Sequence, residues 1–291
     1  MTRTQGPVRP ERETDLFNAV CVVVLGSSTV VFASPFATEA VDYNPGSNAN
    51  GSYANADAAL GEAARFTGLG VFPSGVTPFN PAFSADQLVS IGSGGSLTLR
   101  FDTLITNDPS HRFGVDLIVF ANAFFVDQSY FDDDTTNDGT GILGPNPASF
   151  GSAGIADIYV SADGLDWRLA AITPLNLFPT LGYSDFTTAT PGAPGSVPSD
   201  FTRAMDPGLG LADLAGMDFA NLVALYDGSG GGVGIDISGT GLASASFVRI
   251  ENNGAAAFNI DAVSVVPAPG ALGAMALMLG FRARRRRTVS D

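Results

Sequence analysis

Short apolar segments alternate with polar, turn-rich connections over most of the chain. Residues 94–102 begin with a glycine pair and then place Leu97, Leu99 and Phe101 at every second position. Because successive side chains of a β-strand point to opposite faces, this period of two predicts a half-buried strand. Residues 115–120 are mostly apolar, which predicts a strand in the middle of a sheet.

Three further segments carry a strand pattern, namely 155–161, 245–251 and 258–266. The first is followed by Asp163 and Gly164, and an Asp-Gly pair between apolar runs predicts a hairpin because glycine accepts a positive φ. In the second segment we expect Phe247 and Ile250 to lie in the core. Helical patterns are few and short, and they occur at 56–66 and 209–225.

Strands separated by turn-rich loops, in a chain with 35 Gly and 18 Pro, predict an all-β fold. The expected architecture is a jelly-roll-like β-sandwich with short helices in its loops. No internal repeat and no linker divides the strand-forming part of the sequence. We therefore expect a signal-peptide region at 1–37, one β-sandwich domain at 38–265, and a sorting tail with a short hydrophobic helix at 266–291.

The N-terminal segment predicts export. Residues 19–33 are mostly apolar and follow a basic but mixed-charge start. They end in Val31, Phe32 and Ala33, which offer the small-residue pattern that signal peptidase recognises. The segment is too short, and too polar in its middle, for a comfortable membrane span. The alternative is a buried N-terminal strand.

The C-terminal segment has three parts in fixed order: a Pro-x-Pro motif, an apolar run at 270–281 and a basic cluster at 282–287. A hydrophobic helix followed by arginines is a stop-transfer arrangement, because positive charge stays in the cytoplasm. This order resembles the PEP-CTERM sorting tail of bacteria that make extracellular polysaccharide. The resemblance implies transient anchoring in the membrane and removal of the tail by an exosortase-type enzyme.

The residues that carry this resemblance are Pro267, Ala268, Pro269, Arg284, Arg285, Arg286 and Arg287. Two features depart from the family: Ala268 replaces its glutamate, and the apolar run spans about 18 Å as a helix, less than a bilayer core of about 30 Å. The strand segments, in their order, also resemble a family of bacterial cell-surface proteins that often carry such a tail. That second resemblance implies a location and an architecture rather than an activity. Ala121-Asn122 stands where this family commonly has Glu-Asn.

The charge of the central part narrows the class of partner. From Thr38 to Val266 there are 25 acidic residues and six arginines, and the chain contains no lysine, so this part carries a net charge of −19. Such a field repels nucleic acid, and we expect no nucleic-acid partner. An acidic surface suits either divalent cations or solubility in a salty medium, and the composition leaves both open.

One polar segment, 127–139, offers candidate calcium ligands. Four of its residues present oxygen atoms at alternate positions: Asp132, Asp134, Thr136 and Asp138. Calcium binds six to eight such hard oxygens. An EF-hand is excluded because Pro145 stands where its last glutamate would be. Distant residues proposed to complete the site are Asp116, Asn122 or Asp157. The alternative is a solvated acidic loop without metal.

Catalytic motifs are scarce. His111 is the only histidine and Cys21 the only cysteine, so neither a Ser-His-Asp triad nor a zinc site of His and Cys ligands is indicated. The glycine-rich stretch at 228–234 lacks the lysine of a phosphate-binding loop, and we expect a flexible loop there. Carboxylate pairs suited to glycoside hydrolysis remain open in so acidic a chain.

Four aromatic residues offer either a sugar-stacking face or, more commonly for such residues, core packing: Tyr159, Trp167, Tyr183 and Tyr226. The sequence as a whole predicts an exported, non-enzymatic protein of the cell surface or extracellular matrix. Calcium is its candidate cofactor, and its candidate partners are the sorting enzyme, the membrane and exopolysaccharide. The alternatives are a polysaccharide-acting hydrolase and a carbohydrate-binding module on the same scaffold.

Overall fold

Eleven strands and one α-helix form the regular structure of the described residues. The computed structural model describes residues 33–68, 74–128, 141–143, 149–151, 154–187 and 195–267. The strands are β1 (Glu39–Asn44), β2 (Val89–Ile91), β3 (Ser96–Thr106), β4 (Leu117–Ala121), β5 (Phe124–Phe125), β6 (Ser149–Phe150), β7 (Ile155–Ser161), β8 (Arg168–Pro174), β9 (Val233–Ile235), β10 (Ser244–Glu251) and β11 (Phe258–Val265). The helix is α1 (Phe219–Tyr226). Within these residues no helix is long and apolar enough to span a bilayer.

Two antiparallel sheets share one hydrophobic core. The first has five strands in the order β1-β3-β10-β7-β8, and the second has four strands in the order β2-β11-β4-β9. Leu99 and Val248 of the first sheet and Val119 and Val263 of the second are fully buried in the same cluster. β5 and β6 form a separate two-stranded sheet. The all-β prediction is therefore confirmed, and the arrangement is that of a β-sandwich.

The chain moves repeatedly from one sheet to the other. β2 lies in the four-stranded sheet, β3 in the five-stranded sheet and β4 again in the four-stranded sheet. β9, β10 and β11 alternate between the two sheets in the same way. As a result, strands that are neighbours within a sheet, such as β3 and β10, come from distant parts of the sequence.

The five predicted strand segments form β3, β4, β7, β10 and β11. In β3, Leu99 and Phe101 are buried in the core on either side of exposed Arg100. β4 is buried at every position and lies between β11 and β9, as its apolar sequence predicted. Asp163 and Gly164 lie in the turn that joins the antiparallel strands β7 and β8.

β10 departs from the prediction at Phe247. The pairing of β10 with β3 shifts register between Ala245 and Phe247, which is the signature of a β-bulge. Beyond the bulge Val248 and Ile250 face the core, and Phe247 lies half-buried on the opposite side of the sheet. The expectation that Phe247 belongs to the core was wrong, whereas Ile250 lies there as predicted.

The two predicted helices form only in part. In 56–66 a 3-10 turn ends at Ala59, and Gly61 then takes a positive φ of 83°. In 209–225 a second left-handed glycine, Gly216 with φ of 73°, separates a 3-10 turn from α1. Both breaks occur at glycines, which adopt this backbone conformation without steric cost.

The two sheets differ in what lies over their outer faces. Ile118 and Phe120 of β4 alternate with the core residues of that strand, yet both are fully buried in a second cluster with Phe201 and Ala204. The rings of Phe120 and Phe201 meet edge to face with centroids 5.2 Å apart. On the five-stranded sheet, by contrast, Arg100 of β3 is exposed on the outer side.

Residues 228–232 of the glycine-rich stretch pack against the four-stranded sheet, and residues 233–234 belong to its strand β9. A Cβ atom at Gly231 would lie 2.5 Å from the carbonyl oxygen of Pro179, and one at Gly232 would lie 2.5 Å from Cγ2 of Ile118. Both glycines also have positive φ angles. The expectation of a flexible loop was wrong, because these glycines permit a close packing that any side chain would prevent.

Candidate functional site

The outer side of the five-stranded sheet carries rows of polar and aromatic side chains. We call this surface the open face, and its residues are Asp42, Thr98, Arg100, Asp157, Tyr159, Leu169, Ile172, Phe247, Arg249 and Glu251. The strand register pairs Arg249 with Thr98 on one side and with Tyr159 on the other, and pairs Tyr159 with Leu169. Because directly paired residues point to the same face, these four side chains form one row across four strands.

The centre of the open face is a stack of Arg249 on Trp167. The guanidinium carbon of Arg249 lies 4.0 Å from the centroid of the indole ring. Arg249 Nε donates a hydrogen bond of 3.2 Å to Thr98 Oγ1, which holds the guanidinium against the sheet. A cation over an indole face contributes about 0.5–1 kcal/mol at an exposed site. Arg249 therefore fixes the position of Trp167 beside the strands.

The turn between β7 and β8 places Trp167 at this position. Ser161 Oγ accepts a hydrogen bond of 3.0 Å from the amide of Gly164, and Asp163 Oδ1 accepts from the amides of Leu165 and Asp166 at 2.9 and 3.0 Å. The hydrogen bonds from these two amides are the main reason that the pKa of Asp163 is lowered. The side chains of the turn thus satisfy its own backbone and fix its shape.

Exposed apolar groups extend the open face around this stack. Leu165 in the turn is 84% exposed, Ile172 of β8 is 62% exposed and Leu169 is 44% exposed. Phe247 lies beneath the same turn, because a Cβ at Gly164 would approach its ring to 3.4 Å. An exposed apolar patch with a polar rim is the kind of surface found at interaction sites.

Carboxylates form the row next to Tyr159. Glu251 of β10 is directly paired with Asp157 of β7, and Asp157 Oδ2 accepts a hydrogen bond of 2.8 Å from Asn253. Partial burial, with the negative charges of Glu251 and Asp157, raises the pKa of the Tyr159 hydroxyl, which therefore remains a hydrogen-bond donor. Such a surface can hold a ligand that presents both an apolar face and hydroxyl groups.

The structure divides the four aromatic residues considered from the sequence. Tyr159 and Trp167 belong to the open face, whereas Tyr183 and Tyr226 are buried. The Tyr226 hydroxyl donates a hydrogen bond of 2.7 Å to the carbonyl oxygen of Pro179, and burial raises its pKa. Tyr183 packs edge to face against Phe66 with centroids 6.0 Å apart. The prediction of a sugar-stacking face formed by all four aromatic residues was therefore wrong, and Tyr159 and Trp167 remain as candidates for such a face.

The predicted calcium ligands lie outside the described residues: Asp132, Asp134, Thr136 and Asp138. The residues proposed to complete their site are described, and they do not come together. Asp116 precedes β4 and Asn122 follows it, so about 20 Å of extended chain separates them. Asp157 lies on the open face of the other sheet. Within the described ranges, no group of three or more His, Cys, Asp or Glu residues is arranged to hold a metal ion.

Of the predicted sorting residues only Pro267 is described, and it follows the end of β11. The others lie outside the described residues: Ala268, Pro269, Arg284, Arg285, Arg286 and Arg287. The first described residues run beside the end of β11. The amide of Ala37 donates to the carbonyl oxygen of Val263 at 3.4 Å, and the amide of Val265 donates to that of Pro35 at 2.7 Å. Residues 35–37 therefore lie beside the last residues of β11.

A buried His-Asp pair escaped the sequence analysis. His111 Nδ1 lies 2.8 Å from Asp116 Oδ1, and both side chains are enclosed. Asp116 also accepts hydrogen bonds from the amides of Asp108 and Ile237, at 3.2 and 3.0 Å. His111 Nε2 has no hydrogen-bond partner in the described part of the chain. The pair ties the loop before β4 to the segment after β9, and a lone histidine in a polar turn gives no signal of this.

Asp261 is a second buried polar group that the sequence analysis missed. It lies at a register shift of β11 against β4, between Ile260 and Ala262, and both its carboxylate oxygens accept from the amide of Ala64 at 3.1 Å. Burial raises the pKa of the Asp261 carboxyl to about 7, although the hydrogen bond from Ala64 opposes the shift. An aspartate inside the apolar run of 258–266 was the available signal.

No protein-family model matches the chain, and no curated protein matches it significantly. The observations that bear on function are therefore the open face and the sequence of the two termini.

Proposed function

We propose that the chain is an exported, non-enzymatic protein of the bacterial cell surface or extracellular matrix that contacts exopolysaccharide through the open face. One observation carries this proposal: Trp167 and Tyr159 lie half-buried on the open face, between hydroxyl and carboxylate groups. The C–H face of a sugar ring packs on an aromatic ring, while its hydroxyl groups bond to carboxylates and to other hydroxyls. The open face offers both kinds of contact.

The two termini support the proposed location. The apolar segment at 19–33 acts as the signal peptide, and the tail from Pro267 onward resembles a PEP-CTERM sorting signal. Transient anchoring would hold the body at the end of β11 until an exosortase-type enzyme removes the tail. Since residues 35–37 pair with the last residues of β11, cleavage at both termini would take place at one end of the body.

Two finer features belong to the same proposal. The sandwich is a jelly roll, which the repeated crossing of the chain between sheets supports. Calcium, bound by the acidic segment with Asp132, Asp134, Thr136 and Asp138, stabilises the protein. Added calcium would then raise the melting temperature of the purified chain and a chelator would lower it, whereas equal melting temperatures would remove calcium from the proposal.

A hydrolase is the second candidate, and one observation favours it. Asp157 and Glu251 are directly paired across β7 and β10, and glycosidases flank the scissile bond with two carboxyl groups. The buried His111–Asp116 pair is enclosed and engaged with backbone amides, which favours a structural role for it. Shortening of a bound polysaccharide by the wild-type chain, abolished in Asp157→Asn and Glu251→Gln, would establish the enzyme. Binding without any shortening supports the proposed function.

The direct test of binding is affinity electrophoresis of the full-length chain in gels that contain exopolysaccharide from a bacterium with an exosortase. We expect Trp167→Ala to weaken binding about tenfold, which corresponds to ~1.4 kcal/mol. The matched control is Phe113→Ala, since Phe113 also stacks with an arginine, Arg112 at 4.9 Å, and is exposed away from the open face. Equal binding by both variants and the wild type would contradict the proposal.

A further inference from the structure

We propose that the open face binds neutral polysaccharide and excludes acidic polysaccharide such as a polyuronate. This inference rests on the proposed function and adds the chemical class of the ligand. Neutral and acidic polymers share ring faces and hydroxyl groups, so aromatic stacking alone does not separate them. The charged side chains around Trp167 distinguish the neutral polymer from the acidic one.

The arginines of the open face are already engaged by carboxylates of the same chain. Arg100 Nη1 lies 2.7 Å from Glu39 Oε2, and Arg100 Nη2 lies 3.0 Å from Asp102 Oδ1. Arg249 stacks on Trp167, and its Nη1 lies 3.8 Å from Glu251 Oε1. A uronate carboxylate would therefore find neither guanidinium free.

Arg168 does not belong to the open face, because it is paired with Val160, which faces the core. Its Nη2 atom lies 2.7 Å from Asp166 Oδ2. The carboxylates on or beside the open face are Glu39, Asp42, Asp102, Asp157, Asp163 and Glu251, against the arginines Arg100 and Arg249. Negative charge exceeds positive charge on this surface. A polyanion that approached within a Debye length, about 10 Å at 0.1 M salt, would be repelled.

The carboxylates of the open face also favour the binding of a neutral ligand, because they accept hydrogen bonds from its hydroxyl groups. Glu251 and Asp157 stand in the row next to Tyr159, where they present acceptor oxygens beside an aromatic ring. A carboxylate accepts hydrogen bonds only, and the hydroxyl groups of a neutral sugar donate them. The accessible row from Arg249 to Leu169 crosses two inter-strand spacings, or about 10 Å, so it can contact more than one sugar unit.

The experiment compares pairs of polymers that share a sugar backbone and differ in charge. Methyl-esterified and de-esterified polygalacturonate form one matched pair, and a β-glucan with its carboxymethyl derivative forms the other. Binding of the full-length chain is measured by affinity electrophoresis in buffer without added divalent cations, so that none is supplied to bridge carboxylates. We expect the neutral member of a pair to bind at least tenfold more tightly, and Trp167→Ala to lower that binding about tenfold while Phe113→Ala does not.

One further variant tests the electrostatic cause. Asp102→Asn removes one of the two ion pairs that engage Arg100 on the open face. We expect it to raise affinity for the acidic polymer about threefold and to leave affinity for the neutral polymer unchanged. Equal or tighter binding of the acidic member by the wild-type chain, lost in Trp167→Ala, would overturn the inference and leave the proposed function intact. Binding of neither member of either pair would overturn both.

Discussion

The outer face of the four-stranded sheet is buried, whereas the outer face of the five-stranded sheet is partly exposed. On the four-stranded sheet Ile118 and Phe120 are fully buried beneath Phe201, so β4 contacts apolar side chains on both sides. On the five-stranded sheet the outward residues of β10 include Phe247 and Arg249, and they are only half-buried. A sheet with one core face is enough to hold a sandwich together. The second sheet is therefore free to use its outer side chains for contacts with other molecules.

The composition of the strands reflects this difference. β4 reads LIVFA, which is apolar at every position, as a strand buried on both faces must be. β3 alternates core residues such as Leu99 with polar residues such as Arg100. The contrast was visible in the sequence, although the sequence did not reveal which loops would cover β4.

The largest expected effect is a difference in stability between two variants, each of which truncates one phenylalanine on the outer face of one sheet. Phe120→Ala should lower the free energy of unfolding by about 3–5 kcal/mol, because it leaves a cavity beneath Phe201. Phe247→Ala, on the open face, should cost only about 1 kcal/mol because water reaches the site. Urea unfolding measures both values. Equal costs would mean that the two faces are not distinct.

Asp261, in β11 of the four-stranded sheet, makes the free energy of unfolding depend on pH. Its folded pKa of about 7 lies above that of the unfolded chain, so the folded state retains a proton that the unfolded state releases. Stability from this group is complete below about pH 4 and falls as pH rises to about 7, by about 2–4 kcal/mol in all. Asp261→Asn should remove this fall in unfolding experiments between pH 4 and pH 8. A wild-type loss that persists in the variant would assign the pH dependence to other groups.

The glycines of the cover should show a smaller effect. Gly231→Ala places a methyl group 2.5 Å from the Pro179 carbonyl oxygen at a positive φ, and we expect a loss of about 2–3 kcal/mol. The matched control is Gly239→Ala, which meets no atom within 4 Å. Thermal unfolding of the two variants checks the difference. A Gly231→Ala protein as stable as its control would show that the stretch is not part of a packed cover.

Local patterns located the strands β3, β4, β7, β10 and β11, but they did not locate β1, β2 or β9 and gave no contacts between distant residues. The alternation in 94–102 and the Asp-Gly pair before Trp167 both predicted what the structure contains. Phe247 was misplaced because it lies three positions before Ile250, and the uninterrupted alternation from Phe247 to Glu251 lets only one of the two face the core. The bond between Asp261 and Ala64 joins residues 197 positions apart, which no local period encodes.

The candidate site was predictable only in its parts. Tyr159 and Trp167 were named as candidates together with two residues that the core absorbs, since the sequence does not distinguish an aromatic ring on a covered face from one on an open face. Arg249 was not considered, because its role depends on the register that places it between Thr98 and Tyr159. Register is a property of the assembled sheet.

The central claim is that Trp167 contacts polysaccharide, and its fluorescence tests this most directly because it is the only tryptophan in the chain. A titration of the full-length protein with methyl-esterified polygalacturonate, with the neutral β-glucan and with exopolysaccharide from an exosortase-bearing bacterium follows its emission. The account predicts a saturable shift with a neutral polymer, preserved in Phe113→Ala and weakened about tenfold in Tyr159→Ala. An emission spectrum unchanged at saturating concentrations of all three polymers would contradict it.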